Sequence, residues 1–308
     1  MNIQQLEYVV ALDEHRHFVS AAESCFVTQP TLTMQLRKLE EELGVQLFDR
    51  SRKPLKPTAE GELFIVRARR ILREIKELHG ALNGEKNTLE GEYRLGIIPT
   101  LAPHLLPLFL PAFASRFPNT QLRIEEMESE GIIKALQEDR LDLAIMATPS
   151  GERDLEEVVL FHEAFVFYGP EGHPLLNEEE LSSDLLDVAQ VLLLSEGHCF
   201  RSQALKLCKS QLSHPAFNFH YESGSIDTLK ALVRKGVGYT LVPELALGAA
   251  DAPHIKRFAQ PQPVREVSLV CHRSFNRSLL LEAIKNLVRE HLPAHITRPR
   301  EIVKIKWR

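Results

Sequence analysis

The run Gly197-His198-Cys199-Phe200-Arg201, followed by Cys208, holds the side chains with the most definite chemistry in this sequence. A thiol is a nucleophile only as its thiolate. A neighbouring imidazole, a guanidinium two residues on and a helix opening after Gly197 would each lower the pKa of Cys199. Cys199 is therefore read as a reactive cysteine. Cys208 follows nine positions later. A helix between the two would hold their Cα atoms roughly 13 Å apart, whereas a disulfide needs less than about 7 Å. If the cysteines flank one short helix, joining them must unwind it, and oxidation becomes a conformational switch. The competing reading is a pair of buried free thiols acting as small hydrophobes. Zinc is the rival chemistry, but His198 and Cys199 are adjacent and the other histidines lack C-x-x-C or H-x-x-x-H spacing, so no metal is expected.

The elements that must position these residues belong to a chain of 308 residues, long enough for two or three domains. The most apolar stretch, Leu101 to Ala114, is interrupted by Pro103, His104, Pro107 and Pro111, so no membrane span is expected. Met1-Asn2-Ile3-Gln4-Gln5 lacks the basic start of a secretory signal, and a cytoplasmic location is expected. Four cysteines are too few for a disulfide scaffold; a bridge in a reducing compartment would be transient and regulatory. The net charge of −5 is uneven: in residues 1–88 thirteen Lys and Arg match thirteen Asp and Glu, leaving the excess acid to the remainder. A neutral N-terminal part still suits nucleic acid if cations such as Arg50, Arg52, Lys53 and Lys56 share a face.

The first sixty residues read as compact helices. Ile3, Leu6, Val9, Val10 and Leu12 make one apolar stripe, and Ser20-Ala21-Ala22-Glu23 fits a capping box opening a short second helix. Thr28 caps a third, with Pro30 tolerated in its first turn; Leu32, Leu36, Leu39 and Leu43 face inward, leaving Gln29, Thr31, Thr33, Met34, Arg37 and Lys38 outward. Two helices joined by a tight turn, the second showing polar and basic groups, make a helix-turn-helix. The Pro-punctuated basic run from Leu47 to Thr58 suits a wing laid along a phosphate backbone. From Ala59 to about Asn83, Phe64, Ala68, Ile71, Ile75, Leu78 and Leu82 follow a heptad seam, read as a dimerisation helix, and Asn83 to Asn87 reads as a linker.

Beyond Gly91, strand candidates (Tyr93–Ile98, Leu122–Met127, Leu141–Ala147, Val159–Tyr168, Val191–Leu194, Phe217–Tyr221, Tyr239–Val242, Val267–Cys271) alternate with helix candidates (His104–Phe117, Gly131–Asp139, Ser225–Lys235, Arg277–His291). This predicts an α/β sheet protein of two subdomains with a cleft. The basic tail Ile302–Arg308 is expected to be poorly ordered. The expected boundaries are a winged helix-turn-helix over 1–58, a linker helix over 59–88 and a regulatory domain over 89–308, its subdomains at about 89–162 plus 268–308 and at 163–267.

Several of these motifs together (Ser20-Ala21-Ala22-Glu23, Thr28-Gln29-Pro30-Thr31-Leu32-Thr33, Leu39 to Gly44, Leu47-Phe48-Asp49-Arg50, Pro57 to Gly61) resemble the winged helix-turn-helix of LysR-type transcriptional regulators. Gly236 to Pro243 resembles a turn and strand of their effector domain. Within that family Gly197-His198-Cys199 with Cys208 is similar to the peroxide-sensing OxyR proteins. The resemblance implies a periplasmic-binding-protein-like α/β regulatory domain and a homodimer assembling into a homotetramer on double-stranded operator DNA. It also implies hydrogen peroxide as the input, and RNA polymerase and a thiol reductant as partners. It implies that Cys199 becomes a sulfenic acid which Cys208 resolves as a disulfide, with Thr100, Ser129, His198, Arg201 and Arg265 around the peroxide. Ser129 stands where the family often has threonine. On DNA, it implies Thr28, Gln29, Pro30, Thr31, Thr33, Met34 and Arg37 near the groove and Arg50, Arg52 and Lys53 on the backbone. Cys25 and Cys271 are expected to be structural. No cofactor is expected. The alternative is a LysR-type regulator gated by a small organic effector in the cleft. A thiol peroxidase would not need residues 1–88, and the absence of G-x-S-x-G and G-x-G-x-x-G disfavours hydrolase and dinucleotide chemistry.

Overall fold

The computed structural model describes residues 1–82, 89–208, 224–275 and 278–308. Two compact units divide at about residue 88. In the first, α1 (Ile3–His15) opens on a reciprocal cap in which the Asn2 side chain accepts the Gln5 N–H and the Gln5 side chain accepts that of Asn2. The second helix, α2 (Phe18–Ser24), starts two residues before the expected Ser20. Ser20 is already inside its first turn and faces His17 Nδ1 at 3.5 Å, so the expected capping box does not form. Thr28 does cap α3 (Gln29–Leu43) by accepting the Thr31 N–H, and Gly44 ends it with a positive φ of 70°.

Leu32, Leu36 and Leu39 cluster with Val9 and Leu12 of α1, whereas Leu43 and Ile3, counted in the stripes, stay largely exposed at helix ends. The wing is a short antiparallel hairpin of β1 (Phe48–Asp49) and β2 (Lys56–Pro57). It packs close to α4 (Ala59–Leu82), where a Cβ at Gly61 would collide with the Leu47 carbonyl. Ile65 and Ala68 of α4 are buried, and Arg69, buried as well, bonds Asp13 and Glu14 of α1 at 2.8 and 2.9 Å. Further along α4, Ile71 and Leu78 of the seam remain exposed.

The second unit runs β3 (Gly91–Ile97), α5 (Ala102–Arg116), β4 (Thr120–Glu126), α6 (Ser129–Gln137), β5 (Leu143–Thr148), β6 (Leu155–Tyr168), α7 (Cys199–Leu207), α8 (Ile226–Arg234), β7 (Thr240–Pro243), β8 (Ile255–Arg257), β9 (Gln262–His272), α9 (Ser278–His291), α10 (Ala294–Thr297) and β10 (Ile302–Lys304). The sheet order is β4-β3-β5-β9-β6-β7, with β8 on β6 and β10 on β9. The β4-β3-β5 segment is parallel, so the chain leaves β3 and β4 at the same edge, and the helices that follow begin there. Strands β6 and β9 are long and antiparallel, with a one-residue irregularity between Val159 and Phe161. They carry the chain between two hydrophobic cores. One gathers Leu95, Ile97, Phe109, Ile145, Leu269 and Ile284; the other gathers Phe165, Phe167, Leu194, Leu229, Tyr239 and Leu241.

Two expectations need correcting here. Val191–Leu194 forms only an isolated bridge, Val191 to Tyr239, because the neighbouring residues turn into short 3-10 segments. The tail Ile302–Arg308 is not loose: β10 pairs in parallel with β9, and Trp307 is buried in the first core. Backbone pairing and one large aromatic side chain outweigh its basic character. The expected strand Phe217–Tyr221 and linker Asn83–Asn87 lie outside the described residues.

Candidate redox site and nucleic-acid interface

Cys199 is the first residue of α7 and is buried in the first core. Gly197 makes the entry turn possible: its φ is +94°, and a Cβ there would strike the Glu128 carboxylate. His198 is the N-cap, buried, with Nε2 at 3.9 Å from Glu128 Oε1. Burial lowers its pKa and Glu128 raises it, with burial prevailing, so the imidazole is held neutral.

Burial also pushes the Cys199 thiol above its ordinary value. Arg265, Ser129 and the backbone N–H groups of Phe200 and Cys199 act in the opposite direction. The lowered pKa expected from spacing is thus corrected for this state: desolvation of the charged form exceeds the nearby stabilisation. The local groups still favour a thiolate over what the same burial would allow without them.

Arg265 of β9 is the positive charge at the site, and it is 1% exposed. Its Nη1 donates to Thr100 Oγ1 at 2.8 Å and its Nε to Glu163 Oε2 at 2.8 Å, while Phe200 lies under the guanidinium with its ring centroid 5.3 Å away. Glu163 is opposite Arg265 in the β6–β9 register and is fully buried; its other oxygen accepts the Leu245 N–H at 2.8 Å. Sequence reading missed Glu163, although a carboxylate inside the apolar run Phe161–Tyr168 was the available signal.

Ser129 opens α6, and its buried hydroxyl makes no hydrogen bond of ordinary geometry even though it lies near enough to the thiol to favour the thiolate. Ser129, His198 and Arg265 therefore lie beside Cys199, with Thr100 held by Arg265. Arg201, expected together with Arg265 to stabilise the thiolate, instead donates its Nη1 to the Leu194 carbonyl at 2.9 Å, and Arg265 is the guanidinium that acts on the thiol.

Cys208 caps the other end of α7 and is buried in the second core, where burial pushes its thiol up to about 11. Both cysteines are free thiols. The intact helix keeps their Cα atoms roughly 13 Å apart. Cys25 is half-buried beside the helix-turn-helix turn, and Cys271 is buried in β9. Among the described residues no cluster of His, Cys, Asp or Glu could hold a metal ion. No helix there is long and apolar enough to cross a membrane.

On α3, Gln29, Pro30, Met34 and Arg37 are exposed and Thr31 and Thr33 half-exposed. Thr28 is engaged by its cap and by Thr31 Oγ1 at 2.9 Å. Arg37 pairs with Glu41 at 2.9 Å, a contact exposed enough to exchange for phosphate. In the wing, Arg50 is tied to Glu40 at 2.6 Å and Arg52 to Asp49 at 3.2 Å, and Lys53 and Lys56 are exposed. Glu40 also accepts the Leu47 N–H at 2.8 Å, so Arg50 braces the wing against α3.

A winged helix-turn-helix joined to a two-core α/β unit defines a class of bacterial regulators. Residues 3–62 match the model of bacterial regulatory helix-turn-helix proteins of the lysR family, and residues 86–293 match the LysR substrate binding domain. The chain belongs to the LysR family, a family of transcriptional regulators rather than of enzymes. Within it, the chain is similar to hydrogen peroxide-inducible genes activators and OxyR proteins. The chain is 35% identical over 305 residues to a hydrogen peroxide-inducible genes activator of Dickeya chrysanthemi, covering 97% of this chain and 98% of that protein. The same identity and coverage relate it to the DNA-binding transcriptional dual regulator OxyR of Escherichia coli. A full-length cysteine-to-aspartate variant of OxyR from Pseudomonas aeruginosa superposes with a TM-score of 0.84 at 33% identity, covering 95% of this chain and 99% of that one.

Proposed function

We propose that this chain is a DNA-binding regulator that senses hydrogen peroxide through Cys199 and closes a reversible disulfide with Cys208. The observation that carries the reading is the environment of Cys199: a buried thiol at a helix start beside Arg265 and the buried hydroxyl of Ser129. Thr100, held by Arg265, and Ser129 supply hydroxyls for a small polar oxidant. Neutral His198 is the neighbouring base able to accept the thiol proton.

The Cys199 thiolate attacks one peroxide oxygen; an S–O bond forms, the O–O bond breaks, and the departing hydroxide takes a proton to leave as water. The sulfenic acid then accepts the Cys208 sulfur: an S–S bond forms, the S–O bond breaks, and a second water leaves. Two electrons pass from two thiols to one peroxide. A dithiol reductant, itself oxidised to a disulfide, restores both. Since α7 holds the sulfurs apart, the second step requires that helix to open. The change in the regulatory domain then alters the arrangement of subunits on DNA.

In that assembly α3 enters the major groove with Gln29, Thr31, Thr33, Met34 and Arg37 near base edges and phosphates, and the wing lays Lys53, with Arg52, along the backbone. The seam of exposed Ile71 and Leu78 and half-buried Ile75 on α4 joins two copies, and pairs of dimers form the tetramer, which signals to RNA polymerase. These contacts serve regulation of transcription rather than catalytic turnover.

Peptide mapping before and after low-dose peroxide tests the reading. The wild type yields a Cys199–Cys208 disulfide; Cys199→Ser binds operator DNA yet no longer responds, and Cys208→Ser accumulates sulfenic or over-oxidised Cys199. A normal peroxide response in Cys199→Ser would refute the assignment and leave an effector-gated regulator.

A further inference from the structure

The last four residues lie across the helix that separates the two cysteines. From β10 the chain continues with the Ile305 N–H donating to the Val264 carbonyl at 2.8 Å. Gln203 of α7, fully buried, donates its Nε2 to the Ile305 carbonyl at 2.5 Å, and Lys206 Nζ donates to the Lys306 carbonyl at 2.9 Å. Trp307 then enters the same core as Cys199, with the Arg308 guanidinium 4.7 Å from its ring centroid. Arg308 finally bonds Glu130, the residue after Ser129 on α6, at 2.5 Å, and also Glu152 at 2.6 Å and the Ser150 carbonyl at 2.7 Å.

We propose that Ile305–Arg308 is a C-terminal strap that clasps α7 while it is helical and is released when Cys199 and Cys208 join. The inference rests on the disulfide switch proposed above. Gln203 and Lys206 both lie within the segment that must unwind, and their side chains meet the strap only because the helix places them one turn apart on one face. Unwinding α7 withdraws both donors at once. The coupling is reciprocal: what the strap adds to the helix, loss of the helix subtracts from the strap.

The clasp is also imperfect. Gln203 Oε1 and Trp307 Nε1 are buried without a hydrogen-bond partner, an uncompensated desolvation that favours a release returning them to water. At its far end the strap reaches α6 beside the hydroxyl of the oxidant pocket, so it spans the two helices whose first residues, Ser129 and Cys199, meet there.

The sequence contains one tryptophan, so Trp307 reports on the strap in the full-length protein without a competing signal. Stoichiometric peroxide is added to the reduced chain while tryptophan emission, acrylamide quenching and the Cys199–Cys208 disulfide are followed together. Release gives a red-shifted emission and a several-fold rise in quenching that track the disulfide and reverse with dithiol reductant. Arg308→Ala and Lys206→Ala, which leave Trp307 in place, form the disulfide several-fold faster than wild type. A disulfide that forms while Trp307 emission and quenching stay put, with both variants oxidising at the wild-type rate, overturns the strap alone. Absence of any Cys199–Cys208 disulfide overturns the switch itself and the strap with it.

Discussion

The two ends of α7 place the same functional group in opposite surroundings. Cys199, at the positive end of the helix, has a guanidinium, a hydroxyl and two backbone N–H groups acting to favour its thiolate. At Cys208, at the negative end, burial raises the pKa to about 11. Desolvation is common to both, so compensation is what separates them. A thiol can be buried and still be primed, provided that fixed charge and donors replace part of the lost water. On the proposed switch, the Cys208 sulfur gains reactivity when the helix opens and solvent reaches it.

The contrast breaks most severely at Arg265. Arg265→Met leaves Glu163 buried and unpaired, a loss of about 3–5 kcal/mol in chemical denaturation, and slows oxidation of Cys199 by peroxide. Replacing Glu163 by Gln in the same chain recovers most of the stability but not the rate. A single variant costing under about 1 kcal/mol would show that Arg265 does not maintain the asymmetry.

A smaller effect is read from pH. Because Cys208 ionises at about 11 in the folded chain against an ordinary 9.0, the unfolded chain loses its proton first. The contribution is fully present below pH 9 and is lost as pH rises toward 11, amounting to about 2–3 kcal/mol. Denaturation midpoints measured across that window fall in the wild type and fall less steeply in Cys208→Ala. Equal slopes would show that burial does not hold the Cys208 thiol above its ordinary value.

The smallest effect on the fold is at Ser129. Its hydroxyl makes no ordinary hydrogen bond, so Ser129→Ala changes stability by no more than about 0.5 kcal/mol. The same variant slows peroxide oxidation of Cys199 several-fold in stopped-flow measurements, whereas Ser129→Thr, which keeps the hydroxyl, does not. A large stability loss with an unchanged rate would make Ser129 a structural cap instead.

Much of this architecture was legible along the chain because local rules govern it. The Thr28 cap, the inward leucines of α3, the 24-residue α4 and the alternation of strands with helices all follow from spacing and capping chemistry. The paired cysteines also announced themselves. Local rules failed where several competed: the start of α2 was set by its docking between α1 and α3 rather than by Ser20, and two wing arginines found carboxylates nearby.

By itself, then, the amino-acid order determined most of the helices, several strands and the nine-residue offset of the two sulfurs, since each depends on residues close in sequence. Tertiary structure alone decided that Arg265 rather than Arg201 faces the thiol, that Glu163 holds it, and that the basic tail folds back over α7. The Glu163–Arg265 and Gln203–Ile305 contacts each join positions 102 residues apart, and whether a charge is spent on a partner or left for chemistry depends on burial that no local pattern records.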